Sequence, residues 1–260
     1  MSINERIWHL WYSHPESRGD LVPKFIHETD SPLCKMISVG LNPSYPSFER
    51  LDAAFIAEHG LNAENYITQF QWNTSGLADA YDPTIANRLS LLHSSAKNYY
   101  PFFHRMRLAA QVLHSPQYEH VDLFLRLDAN SKSLPADHWK AKNHKHSLDP
   151  NFVQAQLDIA YEVIIRHQPE VLLCVYASAA DILFRHLKSR GLELDRGWSK
   201  IDNKLCISTS RINLTPGRSK SVLVRWPSFP KNCRGSMSEA DFTGALQKLK
   251  NWLWRLREKG

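Results

Sequence analysis

With 260 residues, 43% of them hydrophobic and 22% charged, the chain has the make-up of a globular protein large enough for a sizeable core. No apolar run approaches the roughly 20 residues that a bilayer span needs, and residues 1–20 lack the charged-then-apolar layout of a secretory signal. Four widely spaced cysteines without a Cys-x-x-Cys pair favour buried thiols over disulfides or a metal site and point to a reducing, cytoplasmic setting.

In chain order, residues 3–13 predict a short amphipathic helix with Ile7, Trp8, Leu10 and Trp11 on its apolar side. Lys35–Leu41 reads as a buried strand, and it runs into the turn Gly40-Leu41-Asn42-Pro43-Ser44. Phe48–His59 predicts a helix. Residues 60–95 are polar and mixed, and predict a long excursion with short helical pieces. A helix is expected at Pro101–Leu113, a strand at His120–Leu127, and a polar Lys- and His-rich loop at Lys132–Pro150. A helix at Asn151–His167 precedes Pro169, followed by an almost wholly apolar strand, Val171–Tyr176, and a helix at Ala177–Arg190 that stops at Gly191. Short strands at Lys204–Ser208 and Arg211–Leu214 suggest a hairpin or an edge. Val222–Trp226 is the last core strand, and Ser238–Arg257 the last helix.

Strands alternate with helices along most of this path, which predicts a mostly parallel sheet with helices on both faces. In such sheets ligands bind at the carboxyl ends of the strands. No linker or repeat divides the chain, so one domain over 1–260 is expected, with 1–32 as a helical N-terminal extension.

Charge sharpens the expectation. The net charge is +6, and residues 200–260 hold 13 Lys/Arg against four Asp/Glu. Between Asn203 and Ser238 stand Lys204, Arg211, Arg218, Lys220, Arg225, Lys231 and Arg234, with no acidic residue. A basic segment around a strand end suits a polyanion, and nucleic acid fits better than a membrane because no basic amphipathic helix accompanies it.

Two strand-ending turns carry the candidate chemistry. Asn42 can orient a water molecule without a shifted pKa. Ser44 and Ser228, each following a proline, can offer hydroxyl and backbone N–H to phosphate. Tyr45, Tyr100 and Phe102 are open candidates for stacking on a base, whereas Phe103 fits the buried side of its helix. His138, His144 and His146 with Asp137 and Asp149 read as a solvated loop, since no ordered second ligand pair completes a metal site. No phosphate-binding loop, dinucleotide fingerprint or nucleophile elbow is present. No metal or cofactor is expected.

These motifs resemble those of the uracil-DNA glycosylase superfamily. Gly40-Leu41-Asn42-Pro43-Ser44 is similar to the first motif of its mismatch-specific and single-strand-selective branches. Trp226-Pro227-Ser228-Phe229-Pro230 resembles the second, His-Pro-Ser-Pro. Gln168–Ala180 is similar to the third strand and its helix, and Tyr100-Pro101-Phe102-Phe103 to the region that supplies the base-stacking ring. The resemblance implies a three-layer α/β/α sandwich around a mostly parallel four-stranded sheet. It also implies a monomer that hydrolyses the N-glycosidic bond of a flipped, damaged or deaminated base in single- or double-stranded DNA. Asn42 would then hold the water, and Ser44, Ser228, Arg225, Lys231 and Arg234 would hold the DNA. Tyr45, Tyr100, Phe102 and Trp226 would line the base.

Two departures stand out. Trp226 occupies the place of the family histidine that stabilises charge on the leaving base. The base-reading asparagine after the second strand has no evident counterpart, with Arg126, Asp128 and Asn130 as substitutes in that region. A catalytically lapsed relative that still binds nucleic acid is the alternative, and an enzyme acting on a small phosphorylated ligand is a third reading.

Overall fold

The computed structural model describes residues 1–27, 34–41, 48, 51, 53–99, 103–115, 117–127, 149–195, 197–202, 207–214, 221–226 and 238–258. The chain forms two compact units. The first comprises residues 1–30, 41–100 and 122–160, and the second 31–40, 101–121 and 161–260.

The first unit is helical. It holds α1 (Ile3–Ser13), α2 (Pro15–Arg18), α3 (Ala53–Glu58), α4 (Ala63–Phe70), α5 (Pro83–Tyr99) and the first part of α7 (Pro150–His167). α1 starts at a capping box: Ser2 Oγ accepts from the Glu5 N–H, and Ser2 N–H donates to the Glu5 carboxylate. Its buried side carries two tryptophans whose indole N–H groups find backbone acceptors, Trp8 on Leu77 O at 2.7 Å and Trp11 on Leu21 O at 3.2 Å. An irregular extended segment is pinned by three backbone bonds, Val22 N to Phe70 O, Trp72 N to Asp20 O and Lys24 N to Leu125 O. Gln156 of α7, fully buried, completes the arrangement by accepting from Leu125 N at 2.8 Å and donating to Phe152 O.

A buried ion pair sits in this unit: Lys24 Nζ lies 2.7 Å from Asp122 Oδ2. Next to it, burial and then the Lys24 charge push the pKa of His93 on α5 from 6.5 down to about 3, against the opposing pull of Asp122. His93 is therefore neutral in the fold but takes a proton below about pH 6.5 in the unfolded chain. The unfolded state then binds more protons, so this residue makes stability rise with pH from about 3 to 6.5. His93→Gln is expected to flatten the pH dependence of the unfolding free energy in that window, measured by denaturant melts at half-unit pH steps.

The second unit is built on a sheet of six strands in the order β2-β1-β3-β6-β5-β4. The strands are β1 (Met36–Gly40), β2 (Tyr118–Asp122), β3 (Val171–Cys174), β4 (Ser199–Asp202), β5 (Ile207–Ile212) and β6 (Ser221–Arg225). β1, β3 and β6 run parallel, and β5 and β4 extend the sheet antiparallel from β6. The sheet is thus mixed and six-stranded, where four mostly parallel strands were expected. An edge hairpin is present, but its strands are Ser199–Asp202 and Ile207–Ile212. The predicted strands Lys204–Ser208 and Arg211–Leu214 both fall on β5, which runs unbroken through Thr209 and Ser210, and β4 is the polar edge strand Ser-Lys-Ile-Asp.

The three central parallel strands are buried along nearly their whole length, because helices cover both faces. On one face Met36, Leu173, Val175, Val222, Val224 and Trp226 pack against α6 (His104–Val112) and α9 (Glu239–Glu258). The alternate residues, Ile37, Leu172, Cys174 and Leu223, point the other way, where α8 (Ala177–Ser189) lies against β1, β3 and β6. α7 stops at His167 because Gln168 turns left-handed (φ 47°) and Pro169 follows. α8 stops at Gly191, whose φ of 76° closes the helix. Cys34 and Cys174 are buried thiols outside any disulfide, and Cys34 Sγ donates to Met36 O. Cys206 and Cys233 lie outside the described residues.

Candidate functional site

Register brings the ends of the two motif-bearing strands to one edge of the second unit. Val39 of β1 pairs with Cys174 of β3, and Cys174 pairs with Arg225 of β6. One step further the ladder continues, with Val175 N on Val39 O at 3.0 Å and Trp226 N on Cys174 O at 3.3 Å. At about 4.8 Å between strands, β1 and β6 leave the sheet roughly 10 Å apart with β3 between them. The chain segments that follow Gly40-Leu41 and Trp226 therefore leave from the same carboxyl edge.

Most residues singled out from the sequence lie outside the described residues: Asn42, Ser44, Tyr45, Tyr100, Phe102, Ser228, Lys231 and Arg234. So do Asp128, Asn130, Asp137, His138, His144 and His146. Two that are described differ from their expected settings. Arg225, expected on a nucleic-acid backbone, forms a two-point ion pair with Asp181 of α8, Nε to Oδ1 at 3.0 Å and Nη2 to Oδ2 at 3.2 Å. A guanidinium held this way has its charge largely balanced within the protein. Trp226, expected against a substrate, is 1% exposed and packs against Phe242 of α9, with ring centres 5.2 Å apart and planes tilted by 36°. It points to the α6/α9 side because it alternates with Arg225, which faces α8.

Arg126, in the first unit, is also engaged: Nη1 donates to Ser17 O at 3.2 Å, and its guanidinium lies over Gly19. A side chain at Gly19, whose φ is 74°, would meet Arg126 Nη2 at 3.2 Å, so glycine leaves the room that Arg126 fills.

Around the α6/α9 side of this edge, polar groups enter the apolar packing. Ser38 on β1 is fully buried, and its Oγ lies 2.8 Å from His120 Nδ1 and 3.2 Å from Glu119 O. The His120 ring meets the edge of Phe103 at 5.1 Å.

Two residues on from Phe103 stands the residue that sequence reasoning passed over. Arg105 is 1% exposed, and its guanidinium carbon sits 4.9 Å from the centre of the Phe242 ring. No hydrogen-bond acceptor among the described residues reaches Nε, Nη1 or Nη2. The signal was present in the helical pattern, since Arg105 falls four residues before Ala109, on the apolar stripe of α6.

Cys174, at this edge, offers no nucleophilic thiol. Burial first, and Asp181 second, push the Cys174 thiol far above its ordinary pKa, so no thiolate forms near neutrality. Among the described residues no group of three or more metal-binding side chains comes together, and no helix is long and apolar enough to cross a membrane.

No protein-family model and no curated protein matches the chain.

Proposed function

We propose that the chain acts on nucleic acid as a DNA glycosylase-like protein of the uracil-DNA glycosylase superfamily, hydrolysing the N-glycosidic bond of a flipped base. The observation that carries this reading is the shared row Val39–Cys174–Arg225, from which both motif-bearing turns set out. In this reading β2-β1-β3-β6 corresponds to the family's four-stranded core, and β5 with β4 is an antiparallel addition. Asn42, two residues past β1, orients the attacking water. Ser44 and Ser228 contact phosphate, and Lys231 and Arg234 add positive charge along the backbone. Tyr45, Tyr100 and Phe102 offer rings to the extruded base.

The second reading, a binding protein that has lost catalysis, is favoured by Arg225 and Trp226. The first is neutralised by Asp181, and the second is packed in the core where the family histidine would act. One experiment separates the two: strand scission after incubation with oligonucleotides carrying uracil, hypoxanthine, xanthine or a mismatch. Excision supports the glycosylase. Salt-dependent binding without excision supports the lapsed relative, and binding that ignores salt removes both. Exchanging Lys231 and Arg234 for glutamine is expected to reduce the slope of log K against log salt by about 1.4–1.8, which is two phosphate contacts.

A further inference from the structure

We infer that Arg105 is the fixed positive charge that holds the departing base, the part that no residue of the second motif fills. The inference rests on the glycosylase reading. A guanidinium carries five N–H donors and no acceptor, so a buried one needs partners that accept. Burying it without an acceptor is costly, and among the described residues none reaches it. Stacking on Phe242 stabilises the flat face of the guanidinium but leaves its N–H edge unanswered. Phe242 in turn packs against Trp226, the first residue of the second motif, so the unanswered charge stands two ring contacts from that motif. Two other described arginines, Arg225 and Arg126, already hold Asp181 and Ser17 O.

The chemistry requires such a charge. As water oxygen bonds to C1′, the C1′–N bond breaks and its electron pair stays on the base nitrogen. The base is an anion until a proton reaches that nitrogen, while the attacking water gives up one proton to solvent. The products are the C1′ hydroxyl of an abasic sugar and the free base. A guanidinium in a site closed to water stabilises the O–C–N edge of that anion, through two parallel N–H donors, more than it stabilises the neutral base.

The test compares wild type with Arg105→Met on oligonucleotides carrying uracil or 5-fluorouracil, whose ring nitrogen is the more acidic. On uracil, single-turnover excision is expected to fall about 10²–10³-fold. On 5-fluorouracil the loss should be at least tenfold smaller, because the better leaving group needs less help. Thermal unfolding of the free variant gives an independent readout. Removing an unanswered charge while keeping the volume is expected to raise Tm by roughly 3–8 °C. An equal rate loss on both bases, an unchanged rate, or a fall in Tm would overturn the inference and leave the glycosylase reading standing. A wild type that excises neither base, nor any other of the panel, removes the glycosylase reading and this inference with it.

Discussion

Replacing Asp122 by alanine is expected to cost about 3–5 kcal/mol of stability, a fall in Tm on the order of 10 °C. The side chains of Lys24 and Asp122 are 12% and 3% exposed, and they meet at 2.7 Å. Alanine at 122 leaves the Lys24 ammonium in a setting that has already been stripped of water. The loss therefore reflects a stranded charge more than the worth of the pair. His93 also loses the one carboxylate that favours its protonated form, so the neutral ring is held no less firmly. Denaturant melts of the single variant and of Lys24→Met/Asp122→Leu together make the test. Most of the lost stability should return in the double variant, since apolar residues of similar volume need no partner. A double variant as unstable as the single one would mean that the cost lies in packing around β2 and not in charge.

The central strands were legible because a parallel strand covered on both faces must be apolar on both sides. Met36–Gly40, Val171–Cys174 and Ser221–Arg225 meet that condition, and their predicted spans differ from the observed ones by at most two residues at each end. Strand two misled for the same physical reason. Leu123, Phe124, Leu125 and Leu127 are buried, but their backbone groups pair with Leu41 and Lys24 rather than continuing β2. An apolar run reports burial, and only the hydrogen-bond partners decide whether burial is a strand. α5 was hidden by the opposite effect. Its buried Ala86, Leu89 and Leu92 keep a helical spacing, but Ser90 and His93 dilute the apolar face. Ser90 resolves its polarity locally by bonding Asn87 O at 2.8 Å.

At the candidate edge, the sequence marked two strands, β1 and β6, whose ends share one row of the sheet. It could not assign partners to arginines. Arg225 and Arg105 are chemically identical in the sequence, yet one faces the Asp181 carboxylate on α8 and the other, among the described residues, faces an aromatic ring. Asp181 and Arg225 lie 44 positions apart, and their meeting depends on the parallel pairing of β3 with β6, which no local pattern encodes.

Asn42→Ala is expected to lower single-turnover excision by about 10²–10³-fold while leaving oligonucleotide affinity within about threefold. A neutral amide does not take the water's proton. Its contribution is to hold the oxygen on the line of attack, and misplacing a reacting atom by about 1 Å can already cost 10²-fold. Affinity should barely move, because phosphate contacts and base stacking lie on other residues in this reading. Asn42→Asp should recover part of the rate, since a carboxylate keeps one acceptor for the water and can also accept its proton. Glutamine at Lys231 and Arg234 should do the reverse of Asn42→Ala, weakening binding at moderate salt while sparing the rate at saturation. If Asn42→Ala excises at the wild-type rate, the water is held elsewhere. The resemblance of Gly40–Ser44 to the family's first motif would then be turn chemistry without catalytic meaning, and binding alone would remain as the function of this edge.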